Sequence, residues 1–268
     1  MGRAKGITRL FRLRRAMTDK SLQKRPGNGH DGGEGESLAA NAAGTYNDRS
    51  RRVAWLSTIA IAGSIYYAVA VVVLHALRPE YDPLSRVTSN YAVGPYGYLM
   101  TATFFAIAAG LMALSLGLSQ TLAPLAQSRV SLALLVAAGV GAIVAGVFPT
   151  DVTPTDAPIT ATGVVHILAG VTAFLCIVVA AVRISMRLDR DPQWRAFRRL
   201  ALLLAFSILV GFIVSIVAQP LGGRGIGQRI FLGTVLVWLL YMAVRLRTAA
   251  NLAQSEGASS AAHVGGSA

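Results

Sequence analysis

The sequence predicts an all-α protein, a polytopic transmembrane bundle of six helices with both termini cytoplasmic. Six apolar stretches carry that reading: Val53–Leu77, Tyr96–Leu118, Val130–Phe148, Thr162–Met186, Leu200–Gln219 and Ile230–Leu246. Each is close to the ~20 residues an α-helix needs to cross a ~30 Å hydrocarbon core, and lipid admits only helices or closed barrels. Composition agrees, with 54% hydrophobic and 14% charged residues, a balance foreign to a soluble domain. Charge supplies the orientation. Of the 25 Lys and Arg, only Arg78, Arg86, Arg224 and Arg229 fall on one side of the spans. The crowded side is the cytoplasmic one by the positive-inside rule, which makes this a multi-pass protein of the cell (plasma) membrane.

The first 52 residues are basic and hold no apolar run of signal-peptide length, so the first span is expected to act as an uncleaved anchor. Ile7, Leu10, Phe11, Leu13 and Met17 recur at helical spacing among arginines. That pattern suits a basic helix lying on the inner leaflet; the alternatives are a disordered basic tail or a start at Met17. Residues 26–48 are glycine-rich and polar, and the tail after Thr248 is rich in Ala, Ser and Gly. Both are expected to be disordered, leaving residues 53–247 as the membrane domain. The net charge of +13 sits beside the spans, where it meets anionic lipid, so no nucleic-acid partner is expected.

Within the spans, Ala138, Ala142 and Gly146 form a smooth stripe for a neighbouring backbone. Cys176, the single cysteine, excludes an intrachain disulfide and suits packing. Trp55 marks the inner end of the first span, and Tyr81, Tyr91, Tyr96 and Tyr98 the outer end of the second, as an aromatic belt would. The preference for arginine over lysine, with abundant Ala and Gly, points to a GC-rich bacterial genome. Three helices per half suit an inverted repeat, but the halves share no residue-level similarity.

The polar chemistry gathers in the three outer connections. The first runs from Arg78-Pro79-Glu80-Tyr81-Asp82-Pro83 through Ser89-Asn90-Tyr91 to Gly94-Pro95-Tyr96-Gly97. The second begins Phe148-Pro149-Thr150-Asp151 and ends in Thr162-Gly163, with His166 one turn on. The third reads Gly222-Gly223-Arg224-Gly225-Ile226-Gly227-Gln228-Arg229. The Ser-Asn-Tyr-Ala-Val-Gly-Pro-Tyr-Gly run, the Phe-Pro-Thr-Asp, the Thr-Gly-x-x-His and the Gly-Gln-Arg together resemble a bacterial six-helix membrane family, domain of unknown function 998. The resemblance covers roughly residues 53–247 and implies the six-helix fold without an activity. A looser similarity, from Ser, Asp and His at helix ends, links the chain to the CREST membrane hydrolases. Their metal site needs more histidines than the two available here.

Each group has a functional and a structural reading. With Thr162 capping the fourth helix, the helix dipole disfavours an imidazolium at His166 and leaves it able to accept a proton. Asp151 would orient that ring, giving a catalytic acid–base pair; otherwise the two close the bundle as a structural hydrogen bond. Arg224 and Arg229, with Gln228, flank a turn whose glycines allow close approach, and arginine forks suit phosphate or carboxylate. The alternative pairs Arg229 with Asp151 or Asp82. Asp82, Ser89 and Asn90 could contact the same ligand, or simply initiate turns and cap helices. A metal site is not expected, although His75, His166 and Asp151 are the residues that would form one; no cofactor is expected. No Asp, Glu, Lys, Arg or His occupies the middle of any span, which argues against a charged-substrate transporter with a midplane site. The leading expectation is an outer polar cluster of Asp151, His166 and Arg229 that binds a lipid headgroup or a partner. An intramembrane hydrolase or transferase on envelope lipids and a transporter of small neutral solutes are the alternatives.

Overall fold

The computed structural model describes residues 32–152 and 158–265. By internal contacts the chain divides into Met1–Thr45 and Tyr46–Ala268, and the bundle lies in the second unit. Six α-helices follow in order: α1 Gly32–Leu77, α2 Gly97–Thr121, α3 Arg129–Val147, α4 Ala161–Arg187, α5 Arg198–Val217 and α6 Arg224–Gly265. All six contain a segment long and apolar enough to cross a membrane. Among the described residues there is no strand. Their boundaries fall within a few residues of the sequence expectation except at the two tails, where helix replaces expected irregular chain over 32–48 and beyond Thr248. Alanine is frequent in both segments, and extending an existing helix avoids the unfavourable nucleation step. The rest of the glycine-rich stretch and the inner-leaflet helix expected around Met17 lie outside the described residues.

Small residues set the helix spacing, as packing without a hydrophobic drive requires. A Cβ on Gly63 of α1 would stand 2.4 Å from the Ala106 carbonyl oxygen of α2, so the two backbones touch there. Of the Ala138–Ala142–Gly146 stripe of α3, Gly146 packs against Phe104 of α2, whereas Ala138 and Ala142 line the interior cavity. One core, including Leu114, Ile184, Trp238 and Leu239, fills the bundle towards its arginine-rich end. There Asp191, buried and unremarked in the sequence, accepts from the backbone N–H groups of Ala123, Gln193 and Trp194 and so joins two connections. Arg187 donates to the carbonyls of Leu125, Ala126 and Gln127, supplying donors to chain that has left its helix.

The opposite end carries the first, second and third long connections as a cap. Trp55, Tyr96 and Tyr98 are exposed, as an interfacial belt requires, whereas Tyr91 is fully buried and belongs to the cap's interior. Its ring packs against His75 and Tyr81 at 5.4 and 5.5 Å between centroids.

Candidate functional site

The cap is built around two arginines, Arg78 and Arg229, the first of which had no role in the sequence reading. Arg78, the first residue after α1, is buried and donates to the carbonyls of Val93 and Pro95 at 2.9 Å. It pairs with Glu80 and lies 4.4 Å over the Tyr81 ring. The hydrogen bond from Arg78 holds the Glu80 carboxyl below its usual range. Arg78 thus folds the first connection back on itself across the left-handed Gly94, whose φ is +84°.

Arg229 then locks the third connection to the first. It donates to the carbonyls of Pro83 at 2.8 Å, Arg86 at 2.6 Å and Gly225 at 3.1 Å, and to His75 Nε2 at 3.0 Å. The backbone N–H groups of Gly225 and Ile226 reinforce this by donating to Leu84. A Cβ on Gly225 would meet the Arg86 and Pro83 oxygens at 2.5 and 2.6 Å. The glycine at the start of α6 therefore allows approach to the first connection, not to a ligand. Asp82 likewise serves its own loop, accepting from Leu84 N, Ser85 N and Ser85 Oγ. The Ser85 hydroxyl, then the Leu84 amide, hold its carboxyl below the ordinary range.

Asp151 works on the second connection. Its two carboxylate oxygens accept from Thr160 N at 2.9 Å and Thr160 Oγ1 at 2.7 Å. Thr160, rather than the expected Thr162, caps α4 by accepting from Gly163 N, because the helix begins at Ala161, one residue before the apolar stretch. Asn90 reaches the Asp151 carbonyl at 3.5 Å and joins the first connection to the second.

The expected cluster of Asp151, His166 and Arg229 is therefore replaced. The three share no hydrogen bond or ion pair, since Asp151 holds Thr160 and Arg229 holds His75 and carbonyls. His166 is oriented by backbone instead. Its Nδ1 lies 2.9 and 2.8 Å from the carbonyl oxygens of Ala145 and Phe148. Carbonyls only accept, so Nδ1 carries a proton, and in the neutral ring Nε2 is then the nitrogen with the lone pair. Nε2 has no hydrogen-bond partner among the described residues. The same logic removes His75 as a metal ligand: Nδ1 donates to Val71 O and Nε2 receives Arg229. No group of three or more His, Cys, Asp or Glu among the described residues is placed to hold a metal ion.

What remains unengaged converges on a cavity of about 600 Å³ beneath the cap. Ser89, His166, Arg224 and Gln228 line its mouth. Ser89 and His166 are each 7% exposed. The Ser89 hydroxyl and the Arg224 guanidinium have no partner among the described residues. Gln228 uses only its oxygen, which accepts from Thr88 N at 2.8 Å and Thr88 Oγ1 at 2.9 Å, leaving both amide N–H bonds unused. Thr88, which the sequence reading passed over, also reaches the Tyr67 hydroxyl at 3.4 Å and fixes this wall. No motif marks it; only its adjacency to Ser89-Asn90 does.

Below the mouth the wall is apolar, with Phe104, Leu111, Phe174, Phe231 and Val235. From His166 to Ile177 on α4 the lining extends about 16 Å along the axis at 1.5 Å per residue. Beyond that level Ile184, Trp238 and Leu239 fill the interior, so this cavity is blind. Sideways it reaches the α4–α5 seam. No residue of α5 after Gly211 is buried, and the lining residues Ile167, Val171 and Ile216 are each about half exposed.

The chain matches the family described as protein of unknown function (DUF998) over residues 60–245, and it belongs to that family. No curated protein and no solved structure matches it.

Proposed function

We propose that this member of the family binds an amphiphilic membrane lipid, with its head at the Ser89–His166–Arg224–Gln228 mouth and its tail in the blind apolar cavity. The observation that carries this is the pairing of unused polar atoms with a long apolar recess. Ser89 and His166 are buried, and buried polar groups ordinarily find partners, so a hydroxyl and an imidazole left open on a cavity point to a ligand that supplies them; Arg224 is exposed at the rim and Gln228 half-buried beside it. The seam between α4 and α5 gives a lipid a route that leaves its tail in hydrocarbon throughout. In this reading the arginine-rich end, with both termini, faces the cytoplasm, and the mouth lies under the outer surface of the plasma membrane. The expected headgroup-binding function is retained, with its residues redistributed.

A catalytic reading finds less support, although His166 Nε2 is available as a base. The carboxylate expected to assist it is bound to Thr160, and Ser89 does not hydrogen-bond to the imidazole. The blind end of the cavity likewise gives a solute no way through.

Gly170 provides the test. It lines the cavity, and a Cβ added there would meet nothing within 4 Å. Gly170→Phe should fill the recess while keeping the fold, since any residue but proline is favoured over glycine in a helix. Native mass spectrometry of the purified protein should show a one-to-one lipid adduct that the variant lacks at an unchanged melting temperature. An adduct of equal abundance in both proteins would place the lipid elsewhere and defeat the proposal.

A further inference from the structure

We infer that the occupant is a single-chain amphiphile with an anionic head, a carboxylate or phosphate, held chiefly by Arg224 and Gln228. This rests on the amphiphile reading above and deepens it.

Charge at the mouth gives the sign. Arg224 brings a guanidinium without a partner, Gln228 two free N–H bonds and Ser89 a hydroxyl. The carboxylate that lines the same cavity, Asp151, already accepts from Thr160 with both oxygens. Among the described residues donors therefore outnumber free acceptors, and the charge of Arg224, exposed at the rim, has no anionic partner. A guanidinium fork matches the paired oxygens of a carboxylate or phosphate. A cationic or zwitterionic head would bring its ammonium to a mouth with no free carboxylate among the described residues. His166 Nε2 is the mouth's acceptor and suits a head-group hydroxyl or a protonated acid oxygen. Arg224 and Gln228 lie four residues apart on α6, hence on one face of the helix, so a single head can engage both.

Volume gives the number of tails. A cavity of about 600 Å³ is in the range, roughly 300–1,000 Å³, of sites that enclose one drug-sized ligand. One long alkyl chain with a compact head is of that size. A two-chain phospholipid is much larger. The lining length of about 16 Å fits the same size.

Photo-crosslinking separates the possibilities. The full chain, in nanodiscs of phosphatidylcholine, is exposed to photoactivatable palmitate, lysophosphatidate, hexadecanol and two-chain phosphatidate, and labelled peptides are mapped. At least one of palmitate and lysophosphatidate should label the cavity helices about ten-fold more than hexadecanol, the effect of one charge-assisted hydrogen bond. Palmitate alone would identify the carboxylate head, lysophosphatidate alone the phosphate. Arg224→Gln should reduce the anionic probes to the hexadecanol level, and Gly170→Phe should abolish labelling by all. Equal labelling by hexadecanol and the anions would overturn the anionic head while leaving the amphiphile site intact. Phosphatidate labelling the cavity as well as lysophosphatidate would overturn the single chain. No cavity labelling by any probe would remove the binding site itself.

Discussion

Arg224 and Arg229 stand five residues apart at the start of α6, on the side of the membrane domain where arginine is scarce, and their surroundings are opposite. Arg229 meets three backbone carbonyls and a histidine nitrogen, so its charge is surrounded by acceptors. Arg224 meets none and borders a cavity. The five-residue offset turns the two side chains to different sides of the helix, one towards the first connection and the other towards the recess. The same residue type thus serves as a structural latch in one region and as an open donor in the other. The difference is made by what folds over each, not by local sequence.

The widest separation between the two regions should appear on truncation. Arg229→Ala leaves several carbonyls and His75 without their donor and should cost roughly 3 kcal/mol, seen as a melting temperature lower by several degrees in detergent. Arg224→Gln should change stability by less than about 0.5 kcal/mol while weakening lipid retention. Equal destabilisation by both would erase the distinction. Next comes Gly225→Ala on the latch. Its new methyl group would collide with backbone oxygens, which cannot move as a flexible side chain would. A loss of about 1–3 kcal/mol is expected, with lipid binding falling only as far as folding does. Thr160→Val removes the cap of α4 and a donor to Asp151; roughly 1 kcal/mol of stability should go with it. The smallest effect concerns pH. The Asp82 carboxyl is held below its ordinary range, so its contribution is present above the unfolded value near ~4 and is lost as pH falls through the lower folded value. Melting curves from pH 5 down to pH 2 should therefore fall slightly more steeply for the parent than for Asp82→Asn.

The membrane domain was legible because each span must satisfy a length and a polarity that lipid enforces, and both are local properties of the chain. Val53–Leu77 or Thr162–Met186 could not have been anything else. The polar cap was legible only as an inventory. Ser89, His166, Gln228 and Arg224 were named as candidates and do surround one cavity, but the division of labour among them was not visible. Asp151 was expected to orient His166 because acid–base pairs use that arrangement. The structure gives the task to the carbonyls of Ala145 and Phe148, which any sequence would possess. Backbone acceptors leave no residue-type signal, and Arg78, Arg187 and Arg229 all use them. The glycines around Arg224 had two readings in the sequence, a tight turn or room for a ligand. Gly225 instead admits the first connection, a long-range contact that periodicity cannot reveal. At the ends of α1 and α6 helix runs on past the apolar spans, where no apolar period marks it in the sequence.

An experimental density map of the protein in nanodiscs of its own membrane lipids is the most direct measurement. A single elongated density lying between α4 and α5 and running down the recess, with its head within hydrogen-bond reach of Arg224 and Gln228, is the predicted result. A recess closed by α5 packed against α4, with Arg224 turned into bulk water and Arg229 still latched, would contradict it.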